Sequence, residues 1–100
     1  MKFKISDENL KQVVYFYLEM DKGMNTVSEH NGNYSLCNSE TTMCNIHYEK
    51  DDGICNIWEG LIYEVSSFFS IGPNYSAHII VNYFQDKTGV KVKGWEYMSD

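Results

Sequence analysis

The chain contains no arginine. Arginine is the main base-reading side chain, and phosphate contacts need lysine and arginine, so nucleic-acid binding is disfavoured from the outset. Proline is nearly missing too. Pro73 is the only one, and no stretch reads as a proline-rich linker. No apolar run approaches the ~18 residues of a membrane span. Near the start, Lys2 and Lys4 are followed by Ser6, Asp7, Glu8 and Asn9. That leaves no unbroken apolar stretch of the ~7–15 residues a secretory leader needs. Cysteine is scarce and odd in number: Cys37, Cys44 and Cys55. An odd set suits a disulfide scaffold poorly, so reduced, core-packed thiols in a cytoplasmic protein are expected. There is no nucleophile elbow, glycine-rich phosphate loop or helical metalloprotease motif, and a non-enzyme is expected.

What the chain does have is acid and aromatic rings. Between Gly23 and Asp86 it carries Glu29, Glu40, Glu49, Asp51, Asp52, Glu59, Glu64 and Asp86 against one cation, Lys50. That middle region holds a net −7, while the flanks nearly cancel and the whole chain is −6. Such a field attracts cations and basic proteins and repels nucleic acid. Aromatics make up 15% of the 100 residues. Large rings supply much core area per residue, so one domain spanning residues 1–100 can close a core despite its length.

The periodicity changes twice along the chain. Residues 6–22 read as a helix, with Ser6 as N-cap, Asp7 and Glu8 on the first turn, and Gly23 as the stop. Ile5 and Leu10 stand at the positions of a hydrophobic staple. Leu10, Val13, Val14, Tyr17 and Leu18 form the inward face, widened by Phe16 and Met20. Lys11, Gln12, Tyr15 and Glu19 face away, which predicts an exposed Tyr15. From Asn25 to Trp58 the period is two. Turns at Asn31-Gly32-Asn33, Asn38-Ser39-Glu40 and Lys50-Asp51-Asp52-Gly53 separate strands near 26–30, 34–37, 42–49 and 54–58. Residues 59–71 turn helical again. Gly72-Pro73-Asn74 breaks the pattern, and a further helix runs to about Lys87 with Gly89 as its stop. Residues 90–97 read as a last strand with a bulge at Gly94. The prediction is an α+β domain: an N-terminal helix, an antiparallel meander of three to four strands, two helices, and a C-terminal strand joining the sheet.

Four candidate sites follow. Cys37, Cys44, His47 and Cys55, with His30 nearby, have the chemistry of a small Cys/His metal-binding domain. Only Cys44 and His47 are closely spaced, and strand parity puts them on opposite faces, so no metal site and no cofactor is expected. Asp51 and Asp52 are paired carboxylates, but within a turn. His78, Asn82 and Gln85 form a polar stripe at helical spacing, read as a solvated face. The fourth candidate is a protein-binding surface in which rings and acids interleave: Tyr48, Glu49, Asp51, Asp52, Trp58, Glu59, Tyr63 and Glu64. Tyrosine and tryptophan anchor interfaces, and carboxylates add steering. Each of the rings is also a core candidate, since aromatics are highly buried on average.

The acidity, the tyrosines and the absent arginine make the chain resemble the small immunity proteins of bacterial contact-dependent and other polymorphic toxin systems. The passage Asp86-Lys87-Thr88-Gly89-Val90-Lys91-Val92, helix into strand, is similar to passages in small immunity proteins and phage-encoded inhibitors. The resemblance implies a one-to-one complex with a basic partner, a cognate toxin nuclease domain whose cleft the acidic surface covers. A phage-encoded inhibitor of a host nuclease, such as an anti-CRISPR protein, is the alternative of the same kind.

Overall fold

The computed structural model describes residues 6–99. The elements run α1 (Asp7–Phe16), a π turn (Tyr17–Asp21), β1 (Met24–His30), β2 (Asn33–Asn38), β3 (Cys44–Glu49), β4 (Ile54–Trp58), α2 (Glu59–Phe69), α3 (Pro73–Thr88) and β5 (Gly94–Met98). The domain is α+β. The five strands lie in the order β1-β2-β3-β4-β5. The first four are antiparallel neighbours, and β5 joins β4 in parallel. A parallel partner needs a long crossover, and α2 and α3 supply it.

Local chemistry accounts for most boundaries. The Ser6 hydroxyl accepts the Asn9 N–H at 3.2 Å, and Asp7 and Glu8 occupy the first turn of α1. The staple expected between Ile5 and Leu10 involves a residue outside the described ones; Leu10 itself is buried. The β1–β2 turn uses positive φ at Asn31 (55°) and Gly32 (86°), the pair that a tight hairpin requires. Pro73 opens α3 and Gly89, at φ 77°, closes it.

Cross-strand register sets the two faces of the sheet. Leu36 pairs with Ile46, and Ile46 with Ile57; all three are fully buried. Burying a side chain of this size contributes about 1.5–3 kcal/mol. They meet Val14, Leu18, Leu61, Ile62, Val65, Ile80 and Phe84 from the helices in one core. The opposite face carries the Ser35, His47 and Asn56 row, each half-buried. Among the described residues, no second layer covers it.

Three sequence expectations are corrected. First, α1 is rotated. Tyr15 is not exposed but half-buried on α3, edge-on to Tyr83 at 5.1 Å with its hydroxyl donating to Asp86 at 2.8 Å. Glu19 also turns to α3 and pairs with Lys87 at 2.8 Å. Val13, Phe16 and Met20 therefore face outward, the last two 66% and 63% exposed. The π turn, closed by Lys22 N–H donating to the Tyr17 carbonyl at 3.1 Å, widens the helix at this point. The rotation follows from partners on α3 that the local pattern does not contain.

Second, Cys37 and Cys44 are joined in a disulfide across β2 and β3, next to a register shift between Leu36 and Cys37. The cytoplasmic expectation leans on reduced thiols, and this bond removes that support. It also withdraws two of the proposed metal ligands. Cys55 remains a buried thiol, pushed up to about 12 by burial, and packs as a small hydrophobe as expected. Third, the last strand begins at Gly94 and not at Val90. Val90 and Val92 pack against the core from the connection, where the Val92 N–H donates to the Gln85 side chain at 2.8 Å.

Candidate protein interface

The eight residues of the predicted surface do not form one patch. Tyr48 points to the helix side of the sheet, half-buried, with its ring centroid 6.2 Å from Phe84 and 6.4 Å from Tyr34. It belongs to the core. Glu49, Asp51 and Asp52 sit at the β3–β4 hairpin and are exposed. Asp52 has a turn role, its Oδ1 accepting the Ile54 N–H at 2.9 Å. The Lys93 stem lies against Gly53, so a cation stands beside these acids. Trp58 is at the other end of β4, four residues on, roughly 13 Å away at the rise of a strand. Its indole lies against Gly60, where a Cβ would come to 2.5 Å from the ring. That ring also lines a cavity of about 300 Å³ with Asp21, Lys22, Asn38, Thr41, Met43 and Asn45.

Glu64 is committed within the fold. It takes a 2.9 Å ion pair from Lys22 and a 2.8 Å hydrogen bond from the Tyr17 hydroxyl. Partial burial opposes its charge, but the hydrogen bonds from Lys22 and Tyr17 and the Lys22 charge outweigh it and hold the carboxyl below its usual range. The same contact works on the other partner. Burial, then the Glu64 hydrogen bond and charge, push the Tyr17 hydroxyl up to about 12.

Glu59 and Tyr63 are placed differently. Both lie on the exposed side of α2. Tyr63 stacks on Tyr97 of β5, with centroids 6.0 Å apart and planes 19° apart, and Tyr97 stands edge-on to Trp95 at 5.1 Å. Tyr63 is 52% and Tyr97 43% exposed, so both rings offer a face to a partner. Partial desolvation, contact with the Tyr63 hydroxyl and the nearby Glu59 charge all raise the Tyr97 hydroxyl above its ordinary value. Glu96, the residue before Tyr97, is exposed on the opposite face of the sheet. Glu59 and Glu96 make no side-chain ion pair among the described residues. Neither α2 nor β5 contains a lysine. The result is a ladder of rings, Tyr63–Tyr97–Trp95, rimmed by two exposed acids on a sheet edge.

Sequence reasoning missed Tyr97, Trp95 and Glu96 as members of this surface. Parity already grouped Trp95 with Tyr97; their position at the edge beside α2 depends on the parallel pairing. Two further arrangements were missed. The Ser35 hydroxyl lies 2.8 Å from His47 Nδ1 on the open face. The nearest carboxylate in that row, Glu96, is two strands further on beyond Asn56, about 10 Å at the spacing of neighbouring strands, so the contact is a cross-strand pair. The polar stripe His78, Asn82 and Gln85 is not simply solvated. It lines a cavity of about 220 Å³ with Val92, Lys93 and Trp95.

Among the described residues no cluster of three or more histidine, cysteine or acidic side chains could hold a metal ion. Among the described residues, no helix is long and apolar enough to cross a membrane. No protein-family model matches the chain, and neither a curated protein nor a solved structure does.

Proposed function

We propose that this chain is a non-catalytic inhibitor of the immunity type, which neutralises a basic toxin domain, such as a nuclease, by covering its substrate-binding surface. One observation carries this reading: exposed, stacked tyrosines beside acids that make no ion pair with a lysine among the described residues. Rings of this kind supply contact area at low entropic cost, and the acids steer a basic partner to them. The chain-wide charge of −6 adds long-range attraction.

The test is capture of the partner from the native organism, followed by association kinetics. Reversing Glu49, Asp51, Asp52 and Glu59 to lysine should slow association about tenfold or more at low salt and flatten its salt dependence. An acidic partner, or rates that the reversals leave unchanged at every salt concentration, would overturn the proposal.

A further inference from the structure

The two edges of the sheet are not alike. β1 carries devices that discourage pairing: a register irregularity between Met24 and Thr26 and a charged residue, Glu29, on the helix-side face. β5 carries no bulge and no proline, and its outer backbone groups meet no further strand among the described residues. Its side chains alternate across the sheet. Trp95 and Tyr97 share the helix side, Glu96 the other. Glu59 and Tyr63 of α2 stand beside Tyr97.

We infer, resting on the basic-partner reading above, that β5 receives an extended lysine- or arginine-bearing segment of the partner as a sixth strand. Strand addition draws affinity from main-chain hydrogen bonds and specificity from alternate side chains. Cations on one side of the added strand would sit over the exposed faces of Tyr63 and Tyr97, close to Glu59. Cations on the other side would meet Glu96. The Gly94 end of the edge lies next to Lys93, which lines the cavity shared by His78, Asn82 and Trp95. The basic residues of the segment therefore belong at the Met98 end. A second copy of this chain does not fit. It would bring the same −6 charge, and a two-fold pairing centred on Glu96 would set that carboxylate against its own copy.

The experiment is selection from a random twelve-residue peptide display library on the intact protein, then amide hydrogen exchange with a synthesised winner. The expected winners alternate lysine or arginine with β-branched or aromatic residues. They slow exchange at Gly94–Met98 tenfold or more. The Glu59→Lys, Glu96→Lys double variant should bind them at least tenfold more weakly, as should Tyr63→Ser, while Glu40→Lys, on the exposed β2–β3 turn, stays within twofold. All of these positions are exposed, so far-ultraviolet circular dichroism should stay unchanged. Basic peptides that protect β1 or the β3–β4 hairpin instead would overturn strand addition at β5 and leave the basic-partner reading standing. Enrichment of acidic or neutral peptides would sink both. A selection that yields no binder overturns the edge inference alone, because capture of a basic partner remains its own measurement.

Discussion

Tyrosine and carboxylate meet in two regions of this molecule, with opposite results. In the helical layer they pair with each other. Tyr15 donates to Asp86 at 2.8 Å, Tyr17 to Glu64 at 2.8 Å, and Tyr75 to Asp7 at 3.0 Å. Each pair ties one helical segment to another. At the β5 edge the rings stack on each other, and Glu59 and Glu96 make no ion pair among the described residues. The same two residue types therefore hold the fold together in one place and offer a surface in the other. What separates them is the partner. A carboxylate already bound to a hydroxyl or ammonium of its own chain has less to give a foreign cation.

This contrast is open to direct attack. The largest effect belongs to Tyr17, which is buried, stacks on Phe68 at 4.8 Å and meets Phe69 edge-on at 5.4 Å. Tyr17→Ala should cost about 3–5 kcal/mol in urea unfolding, as large aromatic truncations do. Tyr97→Ala should cost under about 1 kcal/mol, as exposed positions do, while weakening partner binding. Equal losses of stability would erase the distinction. A perturbation remote from both sets provides the next comparison. Cys37→Ser with Cys44→Ser opens a short loop and should lower stability by roughly 2–3 kcal/mol, on the loop-entropy account. Tyrosine fluorescence and partner affinity should survive it under native conditions.

Binding and stability should also separate at the acids. The Glu59→Lys, Glu96→Lys variant should lose about 1.4 kcal/mol of affinity or more, a tenfold change, with an unmoved urea midpoint. Glu64→Gln should do the reverse, keeping affinity and losing about 0.5–1 kcal/mol of stability, the scale of a partly exposed ion pair. The pH dependence has a definite sign. The folded-state pKa of Glu64 is lowered, so its contribution is complete above the unfolded value of about 4.3 and is lost as pH falls through the folded value. Urea unfolding between pH 6 and 3 should show the gap between wild type and Glu64→Gln closing below about pH 4. A gap that stays constant to pH 3 would count against the pairing. The smallest effect is spectroscopic. Burial, then the bond to Asp86 and its charge, raise the Tyr15 hydroxyl. Tyr15→Phe should therefore remove absorbance change only from the last part of an alkaline titration.

Local grammar was readable in the sequence, and long-range partners were not. Asn31-Gly32 gave the first hairpin, Pro73 and Gly89 bounded α3, and β4 fell on its predicted residues because turn and cap chemistry acts within a few positions. The inward face of α1 was misjudged because the residues that pull Tyr15 and Glu19 toward α3, Asp86 and Lys87, lie about seventy positions away. Glu64 looked like Glu59 for the same reason: Lys22 is 42 residues distant. Strand parity correctly put Tyr48 with Ile46, but not which face would be covered. Cys37 and Cys44 belong to neighbouring strands, and only the shifted register brings them together.

The parallel seating of β5 has a kinetic consequence. Residues 59–93 separate its start from the end of β4, whereas the hairpins of the meander close over a few residues each. Loop closure must be met before a distant contact can reward it, so the hairpins should form early and β5 late. The ring ladder at the edge would then exist only after α2 and α3 have docked. A partner that reads Tyr97 and Glu96 would discriminate between a finished domain and a partly folded one, and its binding rate would report the last step of folding.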